Sequence, residues 1–158
     1  MRYFESLYEK HAADVYRFAF WLAGNAPEAD DITSETFMRA WTDKENIRVE
    51  TVKAYLFTIA RNIYLKQQRV AKRTTRLSIK TESQRLSPET AVQLQSELEA
   101  AQQAMQTLPE ADRAALLLRV YHELPYAEIA RMLNISLSAA KVKVHRARLK
   151  LAALREES

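Results

Sequence analysis

The stretch PYAEIARMLNISLSAAKVKVHRARLKLAAL, residues 125–154, decides the fold. Ile129, Ala130 and Leu133 share one face of a helix over 126–133. Asn134-Ile135 interrupts the pattern. Leu137, Ala140, Val144, Ala147 and Leu151 then form the buried stripe of a second helix over 137–154, so the pair reads as a helix-turn-helix. At about 100° per residue the opposite face presents Ser138, Val142, His145, Arg146 and Leu149, with Lys141 and Lys143 on its flanks. A major groove accepts this mixture of small residues near the N-terminal end, an apolar contact, and cations for guanine edges and phosphates. A basic helix face bathed in solvent is the bland alternative, but the Glu128-Ile129-Ala130 turn and its spacing to Ser136 agree with the charge.

Working outward, Leu124-Pro125 and Leu108-Pro109 separate this motif from helices over 110–122 and 88–107. Ser87-Pro88-Glu89 is a helix start, with a Ser cap, Pro in the first turn and an acid near the positive end of the dipole. The preceding run TTRLSIKTESQRLS, residues 74–87, is polar and weakly patterned, as a linker is. Before it, Phe4, Leu7, His11, Val15, Phe18 and Leu22 mark an amphipathic helix over 4–23 that Gly24 and Asn25 stop. Pro27 suits the first turn of the next helix, whose stripe is Ala29, Ile32, Thr36, Phe37, Ala40 and Trp41. Residues 42–50 read as a loop, and Leu56, Ile59, Ile63 and Val70 are the core positions of a third helix. The expected fold is all-α, with two small helical domains, residues 1–73 and 88–158, joined by a flexible linker at 74–87.

Composition narrows the function. The single glycine, Gly24, excludes the glycine-rich loops that cradle phosphates. The chain has no cysteine, which excludes disulfide frameworks and thiolate metal sites and favours the cytoplasm. No run approaches the roughly 20 apolar residues of a membrane span, and MRYFESLYEK lacks the apolar centre of a signal peptide. Neither membrane insertion nor a cofactor is expected. Charge is blocked along the chain: residues 1–60 hold 7 Lys/Arg against 10 Asp/Glu, residues 61–80 hold 7 against 0, residues 81–118 hold 2 against 6, and residues 119–155 hold 8 against 2. Two alternations of acidic and basic blocks suggest two modules, each with one surface for DNA and one for something else.

The segment LPEADRAALLLRVYHELPYAEIARMLNISLSAAKVKVHRAR, residues 108–148, resembles region four of extracytoplasmic-function (group 4) sigma factors of the sigma-70 family. EADDITSETFMRAW, residues 28–41, resembles the polymerase-binding helix of region two, and AYLFTIARNIYLKQQR, residues 54–69, resembles its helix for the minus-ten element. The resemblance covers nearly the whole chain. Ser138, Ala139 and Ala140 stand where the family usually has Gly-Thr-Val, and Ser34 where it commonly has Gln. The resemblance implies a non-enzymatic factor that carries core RNA polymerase to promoter DNA and assists melting, with an anti-sigma factor as a further partner. It places minus-thirty-five contacts at Arg119, Tyr126, Ser138, Ala139, Lys141, Val142, Lys143, His145 and Arg146. Polymerase contacts fall at Asp31, Ser34, Glu35 and Met38, and the loop at Asn46, Ile47 and Arg48 lies where the family captures a flipped minus-ten base.

The residues themselves support the same roles. Tyr55, Asn62, Lys66, Arg69 and Arg73 fall on one face of the third helix, combining a plane for stacking, an amide for base edges and charge for phosphates, as single-stranded DNA requires. Tyr55 reads equally as a boundary aromatic capping the core. Asp30, Asp31 and Glu35 could hold a metal, but three carboxylates on a helix surface more often face solvent or a basic partner. His11 and His122 read as structural. Fourteen extended linker residues reach about 50 Å, comparable with the roughly 55–60 Å between promoter elements 16–18 base pairs apart at about 3.4 Å per step. The runner-up is a LuxR-type helix-turn-helix regulator binding DNA as a dimer. A hydrolase built on Asp30, Asp31 and Glu35 lacks a complementary His or Lys constellation, and a purely structural helical adaptor leaves both basic blocks unexplained.

Overall fold

Gly24 adopts φ +92°, a conformation open to glycine, and its N–H reaches back to the Phe20 carbonyl at 2.8 Å, closing the first helix. Asn25 then caps the second. Its side-chain oxygen accepts from the Glu28 N–H at 2.9 Å, and its amide donates to the Glu28 carboxylate at 2.7 Å. In the computed structural model this turn joins α1 (Arg2–Ala23) to α2 (Ala26–Thr42), and the bundle continues with α3 (Val52–Thr74). The structure describes residues 2–43, 52–74 and 89–157. The expected linker at 74–87 and the loop residues Asn46, Ile47 and Arg48 lie outside the described residues, apart from Thr74 at the end of α3.

The second set of helices is α4 (Glu89–Gln106), α5 (Glu110–Leu116), α6 (Tyr126–Leu133) and α7 (Leu137–Glu157). No strand occurs among the described residues. The expected helix over 110–122 is not uniform: α5 passes into a π-helical turn at Leu117–Tyr121, with the His122 N–H on the Leu117 carbonyl at 3.1 Å. The wider turn inserts an extra residue and changes the direction of the side chains that follow. Between α6 and α7, Asn134 sits in the left-handed region (φ 59°, ψ 48°), and the Ile135 N–H bonds the Ala130 carbonyl at 2.9 Å. This satisfies the end of α6 and makes the sharp corner of the motif.

Most stripe positions read from periodicity are buried, including Leu7, Val15, Phe18, Leu22, Ile32, Phe37, Leu56, Ile63, Ile129, Ala140, Val144 and Ala147. Two are corrected. Val70 is 48% exposed, because α3 runs past the bundle and every residue from Arg69 to Arg73 is exposed. Leu137 is 46% exposed, at the start of α7 between Ser136 and Ser138, which are exposed as well.

The two helical sets do not stand apart. One continuous apolar cluster runs from Phe18 and Phe57 through Met105 and Leu108 to Leu118 and Val144. Around it, residues of the second set complete the first. Arg113, 4% exposed, donates to the Leu22 carbonyl at 3.0 Å, the Leu108 carbonyl at 2.8 Å and the Tyr64 hydroxyl at 3.1 Å. Gln106 also donates to the Leu22 carbonyl, and Gln102 to the Gly24 carbonyl. A cation and two amides therefore satisfy the negative end of α1.

Candidate nucleic-acid and polymerase interfaces

The helix-turn-helix positions α7 by burying Ala140, Val144 and Ala147 against α5 and α6. Ser136 accepts the Ala139 N–H at 3.0 Å and caps its start. The face left open carries Ser138, Lys141, Val142, His145 and Leu149, all exposed, with Val142 at 53%. Ala139 and Lys143 are half-buried on its flank. Tyr126, at the start of α6, lies under two cations: the Arg119 guanidinium 4.4 Å and the Lys141 ammonium 5.9 Å from its ring centre. Arg119 also donates to the Leu124 carbonyl at 3.2 Å. These contacts bring Arg119, Tyr126 and Lys141 to one edge of the motif.

Arg146 points elsewhere than the sequence places it. Its Nε donates to Asp112 Oδ2 at 2.9 Å and its Nη2 to Oδ1 at 3.1 Å, while the Lys143 ammonium stands 3.7 Å from the same carboxylate. Asp112 is 2% exposed, and the Arg146 hydrogen bond, with the charges of Arg146 and Lys143 behind it, holds its carboxyl below the usual range against the opposing effect of burial. On the helical wheel Arg146 lies about 120° from Ala140, close enough to the buried stripe for a long side chain to turn back onto α5. Asp112 did not stand out in the sequence; its place in the first turn of α5, facing a cation-rich helix, was the available signal.

On α3, Asn62, Lys66, Arg69 and Arg73 are exposed along one face. Tyr55, at the head of that row, is half-buried, and its hydroxyl donates to Asp43 Oδ2 at 2.8 Å. Burial, then the hydrogen bond to Asp43 and its charge, pushes the phenol up to about 12. The ring borders a shallow cleft that Glu128, Arg131 and Met132 of α6 also line. The cationic row and Tyr55 thus share a helix, but Tyr55 sits where the two helical sets meet.

On α2, Asp31, Ser34 and Met38 are exposed, Met38 at 68%, and Glu35 is half-buried. Glu35 accepts a 2.7 Å ion pair from Arg39 one turn on. The surface is an acidic strip around one protruding apolar side chain. Among the described residues no group of three or more His, Cys, Asp or Glu is arranged to hold a metal ion.

Comparison with known proteins gives these surfaces a frame. A sigma-70 region 2 model matches residues 7–74, spanning most of α1 with α2 and α3, and a sigma-70 region 4 model matches residues 98–151, from within α4 into α7. The chain is 33% identical over 155 residues to the ECF RNA polymerase sigma factor SigM of Bacillus subtilis, covering 95% of this chain and 93% of that one. It belongs to the extracytoplasmic-function sigma factors. SigL of Mycobacterium tuberculosis is 30% identical, with 89% of this chain and 81% of SigL covered. The chain spans 59% of the longer sigma factor SigE of Mycolicibacterium smegmatis, at 32% identity. The sigma factor RpoE of Bartonella quintana, solved in complex with the anti-sigma factor NepR, superposes with a TM-score of 0.82 at 25% identity, over 99% of this chain and 98% of RpoE. CnrH, solved with the cytosolic domain of CnrY, shares the fold with a TM-score of 0.74 at 24% identity. Because the matches take in both halves of this sigma factor, a LuxR-type regulator, which shares the helix-turn-helix alone, is not favoured.

Proposed function

We propose that this sigma factor binds core RNA polymerase through α2, reads the minus-ten element with α3 and the loop at Asn46, Ile47 and Arg48, and reads the minus-thirty-five element with α7. The observation that carries the reading is the pair of exposed faces, Asn62-Lys66-Arg69-Arg73 on α3 and Ser138-Lys141-Val142-His145 on α7, each within a matched sigma region. Cations for phosphates beside an amide suit single strands, and a capped helix with a small residue at its tip suits a major groove. In this reading residues 1–73 and 88–158 are the two working units and 74–87 the tether between them.

Asp31, Ser34, Glu35 and Met38 form the polymerase surface, an acidic strip with an apolar anchor that suits a basic helical partner. The factor acts in the cytoplasm, where its polymerase is; no described helix is long and apolar enough to cross a membrane. The RpoE complex with NepR supports an anti-sigma factor as a further partner. Purified protein added to core RNA polymerase should produce initiation from specific promoters in run-off transcription. Absence of any promoter-dependent transcript across a genomic template library would overturn the reading.

A further inference from the structure

The first turns of α7 present a ridge that is less basic than the helix as a whole. Ala140, Val144 and Ala147 fix which side of the helix faces inward. Val142, about 200° from Ala140 on the helical wheel, therefore points straight away from the scaffold, and it is 53% exposed. Ser138 precedes it by one turn, and His145 and Leu149 continue the same ridge, all exposed. A single exposed apolar residue is ordinary on a protein surface. Val142 is distinguished by its place, at the centre of the face that α5 and α6 leave uncovered.

The cations nearest to it flank this ridge instead of crowning it. Arg146 lies to one side, where its Nε and Nη2 both donate to the Asp112 carboxylate, and the Lys143 ammonium stands 3.7 Å from the same group. Lys141 lies to the other side, 5.9 Å from the Tyr126 ring centre. Arginine reads a guanine edge with a two-point fork, and in Arg146 that fork is occupied by Asp112. The centre of the face is left with a hydroxyl at Ser138 and a branched hydrocarbon at Val142, which can neither donate nor accept a hydrogen bond. Among the groups that bases present in the major groove, the C5-methyl of thymine is the one that matches it; adenine, guanine and cytosine offer donors and acceptors.

We infer that Val142 selects an A·T pair at one step of the upstream promoter element by van der Waals contact with the thymine methyl. The inference rests on the reading of α7 as the helix that enters the major groove. Bringing the thymine methyl against the valine methyls removes the apolar surface of both from water. A cytosine in the same place lacks the methyl and turns an amino donor toward a side chain that cannot accept it. Selectivity at this step comes from shape and dehydration, so it is independent of salt, unlike the phosphate contacts of the lysines beside it.

Deoxyuridine differs from thymidine by that methyl alone and keeps the base pairing, so it isolates the contact. The full chain with core polymerase is bound to a promoter recovered by run-off transcription, in which each thymine of the upstream element, on either strand, is replaced singly by deoxyuridine. One position should lose about fourfold in affinity, the contribution of one buried methyl group, and by the same factor at low and high salt. Val142→Ala, at an exposed position where alanine is a good helix former, should weaken binding to the thymine promoter and abolish the difference between thymine and deoxyuridine at that position. A wild-type factor that does not distinguish the two bases at any position overturns the inference. So does a difference that survives in Val142→Ala, and so does an upstream element with no thymine on either strand. The reading beneath fails separately: absence of any promoter-dependent transcript refutes the promoter factor itself, whereas promoter-dependent initiation with a flat deoxyuridine scan refutes the role of Val142 alone.

Discussion

Arg146 of α7 and Asp112 of α5 form a two-point ion pair, at 2.9 and 3.1 Å, that ties the second helix of the helix-turn-helix to the scaffold behind it. Asp112→Asn keeps the shape and removes the charge. It should destabilise region 4 by about 1.5–3 kcal/mol, toward the lower end because Arg146 is open to solvent. The lowered carboxyl works above the usual carboxylate range and is lost as pH falls through its depressed folded value, so the variant's deficit in thermal melts should shrink in acid. A deficit of the same size at every pH would contradict the charge account.

Arg146→Ala should weaken promoter binding through the same scaffold, on all minus-thirty-five variants alike. Lys141→Ala, which removes a cation from the exposed edge beside Tyr126, should leave melting unchanged and reduce the salt slope of DNA binding by about one. Selective loss at one base pair in Arg146→Ala would show instead that its guanidinium leaves Asp112 for a guanine edge.

Lys66, Arg69 and Arg73 sit in the row on α3 where no core packing depends on them. Changing all three to alanine should lower the salt slope of single-strand binding by roughly two, at about 0.7 per phosphate contact. Permanganate footprints should show poorer opening with intact upstream binding. An unchanged slope would remove this face from the DNA interface.

Glu35→Lys puts a like charge one turn from Arg39, a helix cost of about 0.3–0.5 kcal/mol that leaves the fold intact. Core polymerase affinity should fall in titration. Met38→Ala should cost about 1 kcal/mol or more of that affinity if the exposed thioether is an anchor. Wild-type affinity in both variants would move the docking surface off α2.

His122 is held down to about 4 by burial first and then by the Lys53 charge, with Asp14 opposing and Arg17 reinforcing; Tyr121 stands beside it. Above pH 6.5 the ring is neutral in both the folded and the unfolded chain, and the packing around it has its full strength. As pH falls from 6.5 toward 4, the unfolded chain takes up a proton that the folded chain refuses, and the fold loses about 3 kcal/mol in total. Thermal melts at pH 7.5 and pH 5 should show a lower midpoint in acid for wild type, while His122→Leu should lack this acid limb. An equal drop in both would assign it to other groups.

The helix boundaries were legible because their punctuation is local. Gly24 with Asn25, Pro109, Pro125 and Asn134 each act through their own backbone or cap, and the elements begin or end beside them. Periodicity located the core and failed at Val70 and Leu137, where a stripe continues past the helices that could cover it. Side-chain destinations were less legible. A helical wheel sends Arg146 outward, but its reach and the buried Asp112 decide where the guanidinium rests. Arg113 carries no sign in the sequence that it will be buried; the carbonyls and hydroxyl that receive it belong to residues 22, 64 and 108. His122 reads as structural from sequence and is so, but its partners Phe18 and Phe57 lie on the other sigma region.

The cap on α1 also sets an order of events during synthesis. Tyr64 and Arg113 are 49 residues apart, so at about 5–20 residues per second the arginine follows the tyrosine out of the ribosome by roughly 2–10 s. For that interval region 2 exists with the Leu22 and Gly24 carbonyls in water and Phe18 and Phe57 uncovered. A nascent chain therefore completes α2 and α3 seconds before the residues that cap the end of α1 and cover its aromatic core have been made.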